Sequence, residues 1–323
     1  MPILSGSSYR KRPFFLINGH LETVVPSLFR KINGVNYQRE RLELADGDFL
    51  DIDWLLGDND KLLVLSHGLE GNSDRHYVKG TAKYFHDRGW DVLAWNYRSC
   101  SEEMNRLPRM YHHGVTDDLE AVIVRGLKEG YDEVNLIGFS MGGSTTLKFL
   151  GEQGDRVDNR ITGAAVFSVP CNLWDSAIQL AEKSNRFYKN RFLNKLKKKI
   201  ALKAEMYPEI INVEGLENIT SFDEFDERYT APLHGFKDAK DFYVSSSSDQ
   251  FYHNIKVRSI VVNAINDPLL GEKCYPYEIV RNHSHLSLET PKLGGHVGFT
   301  RISGPAWMEE RAYEFLVSEK KSG

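Results

Sequence analysis

The sequence predicts an α/β domain whose mostly parallel central sheet carries helices on both faces. Two observations lead to this prediction. Short apolar runs that suit strands buried on both faces alternate with amphipathic segments of helical period along the first half of the chain. The alternation stops at about residue 172 and resumes with another apolar run at about residue 259. Because strand–helix–strand units are connected right-handedly, they build a parallel sheet that helices cover.

The elements of the first half follow in order along the chain. A hairpin is predicted across Asp46-Gly47, because Asp-Gly supplies the positive φ angles of a tight turn. A later helix ends at Gly89, since glycine commonly stops helices. Asp117 and Asp118 favour the N-terminus of the next helix. The predicted strands are 41–45, 49–56, 62–66, 91–96, 134–138 and 161–168, and the predicted helices are 74–88, 116–129 and 141–152.

The second half of the chain is predicted to interrupt this domain and then to complete it. Over residues 172–254 the composition shifts to charged and aromatic residues without a strand-like run. Strands are expected again at 259–263 and around 286–288, and a closing helix at 307–317. We therefore expect a single domain over residues 1–323, with a helical cap inserted at about 172–254.

Composition limits the classes of function. The chain has 323 residues, with 41 Lys and Arg against 45 Asp and Glu, which gives a net charge of −4. Bulk electrostatic binding of nucleic acid needs a basic surplus, so no nucleic-acid partner is expected. Three cysteines cannot build a disulfide framework, and no apolar run reaches the ~18 residues that span a bilayer. The default location is cytoplasmic, and the sequence does not indicate the oligomeric state.

The segment Gly138-Phe139-Ser140-Met141-Gly142 is the most informative in the chain. It lies between a predicted buried strand and a predicted helix, where a serine on a sharp turn exposes its hydroxyl above the sheet edge. The flanking glycines leave room for a strained backbone. The Gly-x-Ser-x-Gly pattern alone also fits a glycine-rich turn with an incidental serine, but its position favours a nucleophile.

A serine hydroxyl needs a base that accepts its proton and a third group that orients the base. Asp267 follows the predicted strand at 259–263, and His296 follows the predicted strand near residue 286. The chain order Ser, Asp, His is the one expected for such a set on an α/β sheet of this kind. Taken singly, Asp267 in an Asp-Pro turn and a histidine among glycines are more often structural. Together with Ser140, they are the candidate catalytic residues.

The loop His67-Gly68-Leu69-Glu70-Gly71 follows the strand at 62–66. In this kind of fold, that loop supplies one backbone N–H to an oxyanion hole, and the residue after the nucleophile supplies the other. We assign these two donors to Leu69 and Met141. His67 itself is expected to brace the loop.

Two further histidines have a spacing that some acyltransferases use for a catalytic His–Asp pair. His112 and His113 each stand five positions before an aspartate, Asp117 or Asp118. Both aspartates fall where acids cap a helix, so a structural role is favoured. The sequence contains no nucleotide fingerprint and no glycine-rich phosphate cradle. We expect no cofactor and no metal.

The segment 183–203 contains nine Lys and Arg and no Asp or Glu. Phe192, Leu196 and Ile200 recur every four residues, which predicts a helix with one apolar face and a basic remainder. Two interpretations are open: an ordinary cap helix whose apolar stripe packs on the domain below, or a basic surface that contacts an anionic membrane or steers acidic substrates. The aromatic residues expected to shape an acyl pocket are Trp174, Phe187, Tyr188 and Phe192.

The chain resembles the α/β-hydrolases and, within them, the YheT-like branch, also called AB hydrolase family 4. The resemblance covers nearly the whole chain, and its first and last motifs together are specific to this branch. It rests on Asn18-Gly19-His20-Leu21-Glu22-Thr23, His67–Gly71, Asn96-Tyr97-Arg98, Tyr111-His112-His113-Gly114, Gly138–Gly142 and Gly294–Phe299.

This resemblance implies a serine hydrolase of carboxylic esters, often lipid-like acyl esters, with Ser140, Asp267 and His296 as its triad. Some relatives instead transfer acyl groups to alcohols, so an alcohol O-acyltransferase with the same triad is an alternative. A non-catalytic scaffold is a further alternative, against which an intact triad argues. Family members often carry Asp-Asp-Pro where this chain has Asn266-Asp267-Pro268, a departure that leaves the triad residues in place.

Overall fold

The structure, a computed structural model, describes residues 3–4 and 6–317. In this part of the chain eight strands form one sheet, in the order β1-β2-β4-β3-β5-β6-β7-β8, and the two pairs that involve β2 are antiparallel while the others are parallel. The predicted α/β fold is confirmed. The strands are β1 (Gln38–Glu43), β2 (Phe49–Leu55), β3 (Lys61–Ser66), β4 (Asp91–Trp95), β5 (Glu133–Phe139), β6 (Ile161–Phe167), β7 (Ser259–Val262) and β8 (Leu286–Glu289).

Helices lie on both faces of the sheet and in the connection between β6 and β7. None of the helices in the described residues is both long and apolar enough to cross a bilayer. The helices are α1 (Gly19–Phe29), α2 (His76–His86), α3 (Thr116–Leu127), α4 (Met141–Gln153), α5 (Leu173–Ala181), α6 (Arg186–Met206), α7 (Phe222–Phe225), α8 (Ala231–Leu233), α9 (Ala239–Ser246), α10 (Tyr277–Val280) and α11 (Trp307–Val317).

Alternate side chains of β3 pack on opposite faces of the sheet. Leu62 and Val64 belong to a buried cluster that includes residues of α3, α4 and α6, whereas Leu63 and Leu65 belong to a second cluster with residues of α2 and α11. All four side chains are at most 1% exposed. Because both faces of the strand are buried, its sequence is a continuous apolar run rather than an alternating one.

Helix α1 is missing from the elements predicted from sequence. Its first residue is Gly19, and Pro26 stands inside it; both residue types disfavour a helix interior. The signal that could have found the helix is Asn18, whose side-chain oxygen accepts a hydrogen bond from the backbone N–H of Leu21 at 2.9 Å.

The connection between β6 and β7 contributes α5 to α9, of which α6 is the longest, with 21 residues. Leu196 and Ile200 of α6 are buried against the domain, in agreement with the apolar stripe. Three lysines of α6, however, also point inwards. Lys203 is fully buried and donates to the backbone carbonyl oxygens of Asn105 and Leu107. The apolar stripe is therefore not the only part of α6 that faces the domain. The contacts of the other two lysines are described below.

A buried ion-pair network ties the hairpin turn to α3. The guanidinium of Arg98, 1% exposed, donates to the carboxylate of Asp118 at 2.6 Å and to that of Asp48 at 2.8 Å. Asp118 lies in the first turn of α3, as expected, and its role is structural, but its carboxylate pairs with a buried arginine and makes no capping hydrogen bond. Asp117 stays exposed and pairs with Arg109 at 3.0 Å.

We predict that Arg98→Ala lowers the free energy of unfolding by about 3–5 kcal/mol, because it leaves the carboxylates of Asp48 and Asp118 buried without their cation. Urea denaturation followed by circular dichroism measures the change. Lys83→Ala is the control, since Lys83 pairs with Asp87 on the exposed face of α2, and its cost should stay below about 0.5 kcal/mol. Equal costs for the two variants would contradict the prediction.

Candidate active site

Ser140 lies on the tight connection between β5 and α4. Its backbone adopts φ 54° and ψ −120°, which residues other than glycine rarely do. The connection is crowded: a Cβ added to Gly142 would lie 2.3 Å from the carbonyl oxygen of Ser66, and one added to Gly138 would lie 2.4 Å from that of Gly142. Both glycines of the pattern are therefore required by backbone contacts, and the strained turn fixes the position of the serine hydroxyl.

The three candidate catalytic residues lie in one hydrogen-bonded chain. The Nε2 atom of His296 is 2.8 Å from Ser140 Oγ, and its Nδ1 atom is 2.9 Å and 3.1 Å from the two carboxylate oxygens of Asp267. The Asp267 side chain is fully buried, and that of His296 is 12% exposed. Their strands β5, β7 and β8 run parallel, so the segments that follow these strands meet at the same edge of the sheet.

The loop that carries His296 is held by side chains that the sequence did not single out for this role. The backbone N–H groups of residues 295, 296 and 297 donate, in that order, to Asn266 Oδ1 at 3.0 Å, Thr23 Oγ1 at 2.8 Å and Ser168 Oγ at 2.8 Å. Thr23 belongs to the first motif of the family resemblance, which is the one signal that could have pointed to it. Ser168 gives no comparable signal in the sequence.

The loop after β3 lies directly against Ser140. A Cβ added to Gly68 would lie 3.1 Å from the Cβ of Ser140, so the backbone before Leu69 touches the serine. His67 supports this loop: its Nδ1 atom is 2.7 Å from the Gly68 carbonyl oxygen, and its Nε2 atom accepts from the N–H of Tyr97 at 3.3 Å. Burial lowers the pKa of His67 to about 3, so the ring is neutral.

Glu70, the residue after Leu69, connects this loop to the helical insertion. Its φ of 54° lies in the left-handed region. Its carboxylate accepts from Lys199 Nζ at 2.7 Å and from the Tyr111 hydroxyl at 2.5 Å, and its backbone oxygen accepts from Lys195 Nζ at 2.9 Å. Two inward-facing lysines of α6 therefore hold the loop that contains one predicted oxyanion donor.

Two cavities meet at Ser140 and His296. The first, called here the apolar cavity, has a volume of about 820 Å³ including its mouth, and hydrocarbon side chains dominate its lining. The second, called here the basic cavity, has a volume of about 790 Å³ and is lined by Arg75, Arg191 and Lys195 among others. Side chains that line the apolar cavity include Leu173, Leu180, Phe192, Leu196, Phe242 and Leu270.

Only one of the four aromatic residues expected to shape an acyl pocket lines the apolar cavity. Phe192 borders both cavities, whereas Phe187 and Tyr188 line the basic cavity. Trp174 is 42% exposed and lies beside a separate surface depression. Which of these aromatic residues contact an acyl group stays a prediction, and of the four, Phe192 alone borders the apolar cavity. The sequence placed these aromatic residues in the insertion but did not show which way each side chain points.

Comparison with known proteins gives the family. The model of the alpha/beta hydrolase fold family matches residues 61–277. YheT of Escherichia coli (strain K12) is 31% identical over 312 residues, which cover 93% of this chain and 91% of YheT. The chain belongs to the α/β-hydrolase family, in its YheT-like branch. Phospholipase ABHD3 of Mus musculus is 28% identical over 277 residues, 82% of this chain and 67% of ABHD3.

A solved structure supports the fold of this α/β-hydrolase. The esterase PF2001 of Pyrococcus furiosus superposes with a TM-score of 0.59 at 18% identity, over 87% of this chain and 91% of that one. In the described part of the α/β-hydrolase, no group of three or more His, Cys, Asp or Glu side chains is arranged to hold a metal ion.

The apolar cavity of this α/β-hydrolase also contains titratable side chains, and burial shifts the pKa of several of them towards the neutral form. His112 and His113 line it, and burial lowers the pKa of both, that of His113 to about 4. Neither histidine is the partner of Asp117 or Asp118, which pair with arginines as described above. Asp226, another lining residue, accepts from the Thr230 and Tyr243 hydroxyls, and burial raises its pKa to about 7.

We predict that Asp226→Asn changes the pH dependence of stability. Because the pKa of Asp226 is raised to about 7 in the folded protein, the wild type loses stability as the pH rises from about 4 through 7, while the Asn variant does not. The stability difference between variant and wild type should move by about 2–3 kcal/mol in favour of the variant between pH 5 and pH 8. Thermal unfolding across this range measures it.

Asp223→Asn is the matched control for this prediction. Asp223 is exposed and accepts from the same Tyr243 hydroxyl, at 3.0 Å. Its stability should still fall as the pH rises from about 4 through 7, because the Asp226 carboxyl is kept, and the fall should be reduced only by the part of the Asp226 pKa shift that the Asp223 charge causes. If the stability of Asp226→Asn falls as much as that of the wild type, the buried Asp226 carboxyl does not titrate as described.

Proposed function

We propose that this α/β-hydrolase cleaves carboxylic esters of acyl or lipid-like compounds through an acyl-enzyme on Ser140. The observation that carries the proposal is the position of His296, whose Nε2 atom lies 2.8 Å from Ser140 Oγ while its Nδ1 atom contacts the buried carboxylate of Asp267. The relatives add support of a coarser kind, since mouse ABHD3 is named a phospholipase and the archaeal structure is an esterase.

The arrangement supports a two-step reaction. Ser140 Oγ attacks the ester carbonyl carbon as His296 Nε2 takes the hydroxyl proton. Asp267 accepts from Nδ1–H, which keeps Nε2 as the proton acceptor and stabilises the imidazolium that forms. The backbone N–H groups of Leu69 and Met141 donate to the oxyanion of the tetrahedral intermediate. His296 then protonates the departing alcohol as the ester C–O bond breaks. Water attacks the acyl-enzyme with His296 as its base, and the bond between the acyl carbon and Ser140 Oγ breaks as His296 returns the proton to Oγ, which releases the carboxylic acid.

The two cavities divide the substrate between them. Burying hydrocarbon contributes about 0.8 kcal/mol per methylene, so the apolar cavity suits the acyl chain. The basic cavity reaches the same serine and histidine from a second direction, and it receives the alcohol half.

Labelling with a fluorophosphonate probe tests the nucleophile. The probe phosphonylates an activated serine, so Ser140→Ala should lose labelling completely. Ser144→Ala is the matched control, because Ser144 is a buried serine one turn further along α4 that hydrogen-bonds to Ser248 and lines neither cavity. It should label like the wild type. Labelling of Ser140→Ala at full strength would refute the assignment.

Thr23 should act on catalysis by positioning His296. Thr23→Val removes the acceptor of the His296 N–H, and the loss of a hydrogen bond worth about 1 kcal/mol should lower kcat by about 5-fold to 10-fold. Thr23 lines the basic cavity, which receives the p-nitrophenyl group, but valine has nearly the shape of threonine, so KM for p-nitrophenyl butyrate should change little. Thr23→Ser keeps the hydroxyl and should restore kcat. An equal loss in both variants would show that the hydroxyl is not the cause.

A further inference from the structure

The basic cavity brings three cationic side chains to the edge of the candidate active site. Arg75 stands directly before α2, and Arg191 and Lys195 are one turn apart on α6, so they project from the same side of that helix. The same cavity is lined by Ser140 and His296. A group bound between the three cations would therefore belong to a molecule that also reaches the serine.

The three positive charges are not balanced by carboxylates. Arg75 Nη2 donates to the hydroxyl of Ser27 at 2.8 Å, and Lys195 Nζ donates to the backbone oxygen of Glu70 at 2.9 Å; both acceptors are neutral. Within residues 3–4 and 6–317, none of the three cations forms an ion pair with an acidic side chain. The cavity therefore carries a surplus of positive charge.

The one carboxylate that lines the basic cavity already has its own cation. The Glu70 carboxylate accepts from Lys199 at 2.7 Å and from the Tyr111 hydroxyl at 2.5 Å. Lys199 neutralises the Glu70 carboxylate, so this carboxylate does not balance the positive charges of Arg75, Arg191 and Lys195.

The cations also lie close enough to affect one another. Burial lowers the pKa of Lys195, the charge of Glu70 raises it, and the positive charges of Arg75, Arg191 and Lys199 lower it further. Like charges gathered at a partly buried site repel one another, and an anion bound among them relieves this repulsion. Guanidinium groups match the geometry of phosphate and carboxylate oxygens, to which they donate in pairs.

We propose that the basic cavity binds an anionic group, phosphate or carboxylate, on the alcohol half of the ester, while the apolar cavity holds the acyl chain. This proposal rests on the proposed ester hydrolysis and names its substrate class. The substrates are amphiphilic esters whose leaving alcohol is acidic, and Arg191, Lys195 and Arg75 are the residues that select them.

The test compares hexanoyl glycerol with hexanoyl glycerol phosphate, which share the acyl chain and the scissile bond and differ only in the phosphate. The hexanoyl ester of glyceric acid provides a carboxylate arm. The short chains keep all three substrates in solution, so no lipid surface is involved. The readout is the ratio of kcat/KM for an anionic ester to kcat/KM for the neutral ester, because a general loss of activity or of folded protein cancels in this ratio.

The wild-type ratio should exceed about 10 for at least one of the two anionic esters, as charge-assisted hydrogen bonds to that group would give. Arg191→Gln and Arg75→Gln should each lower the ratio by about 5-fold or more. Lys198→Gln is the matched control, since Lys198 is an exposed lysine of the same helix that does not line the basic cavity, and it should keep the wild-type ratio.

Several outcomes would overturn the proposal. The proposal is wrong if the wild-type ratio of kcat/KM values is near one for both anionic esters. It is also wrong if neither Arg191→Gln nor Arg75→Gln lowers that ratio. If the soluble esters show no preference and activity rises only with vesicles that contain phosphatidylglycerol, the cations serve a lipid surface instead. Hydrolysis of p-nitrophenyl hexanoate distinguishes failure of the substrate class from failure of the proposed ester hydrolysis. If the enzyme hydrolyses this ester but the ratio of kcat/KM values is one, only the substrate class is wrong. If it does not hydrolyse this ester, the proposed ester hydrolysis itself fails.

Discussion

The close approach of the β5–α4 turn to the end of β3 is the constraint on which the site depends. Ser66 and Gly138 are partners in the register between these two parallel strands, so both strands end at the same level. Gly142 then passes so near the Ser66 carbonyl oxygen that any side chain would clash with it. This contact fixes the strained backbone of Ser140 and presses the loop at Gly68 against it. The serine, the start of α4 and the loop after β3 are thus positioned by one packing requirement.

The sheet and the set of Ser140, Asp267 and His296 were accessible from sequence because their signals are local. A buried parallel strand is a continuous apolar run, and Ser140 directly follows one. Asp267 lies about five residues after the end of β7, and His296 lies about seven residues after the end of β8. The contacts that hold His296 have no local signal: Thr23 lies 273 residues away from it along the chain and Ser168 lies 129 residues from Val297. Such contacts depend on how distant loops meet, which composition and periodicity do not encode.

The charges of α6 show a different limit of pattern-based prediction. The helical period distinguishes an apolar stripe from a basic remainder, but it does not show which polar groups of the domain the basic side chains contact. Lys195 donates to the backbone oxygen of Glu70, and Lys199 donates to its carboxylate. Lys203 donates to two backbone carbonyl oxygens. Buried cations are tolerated only when they are paired in this way. The insertion is therefore attached to the domain by polar contacts as well as by its apolar stripe.

These contacts make the position of α6 and the conformation of the Leu69–Glu70 loop interdependent. Moving the helix away would leave the Glu70 carboxylate without its cation and would release a left-handed residue beside the serine. The same helix divides the space above the serine. Arg191 and Lys195 form one row at a spacing of four and face the basic cavity, while Leu196, in the neighbouring row that begins at Phe192, faces the apolar cavity. Because Arg191 and Lys195 border one cavity and Leu196 the other, with Phe192 between the two, α6 contributes to the chemical contrast between the cavities.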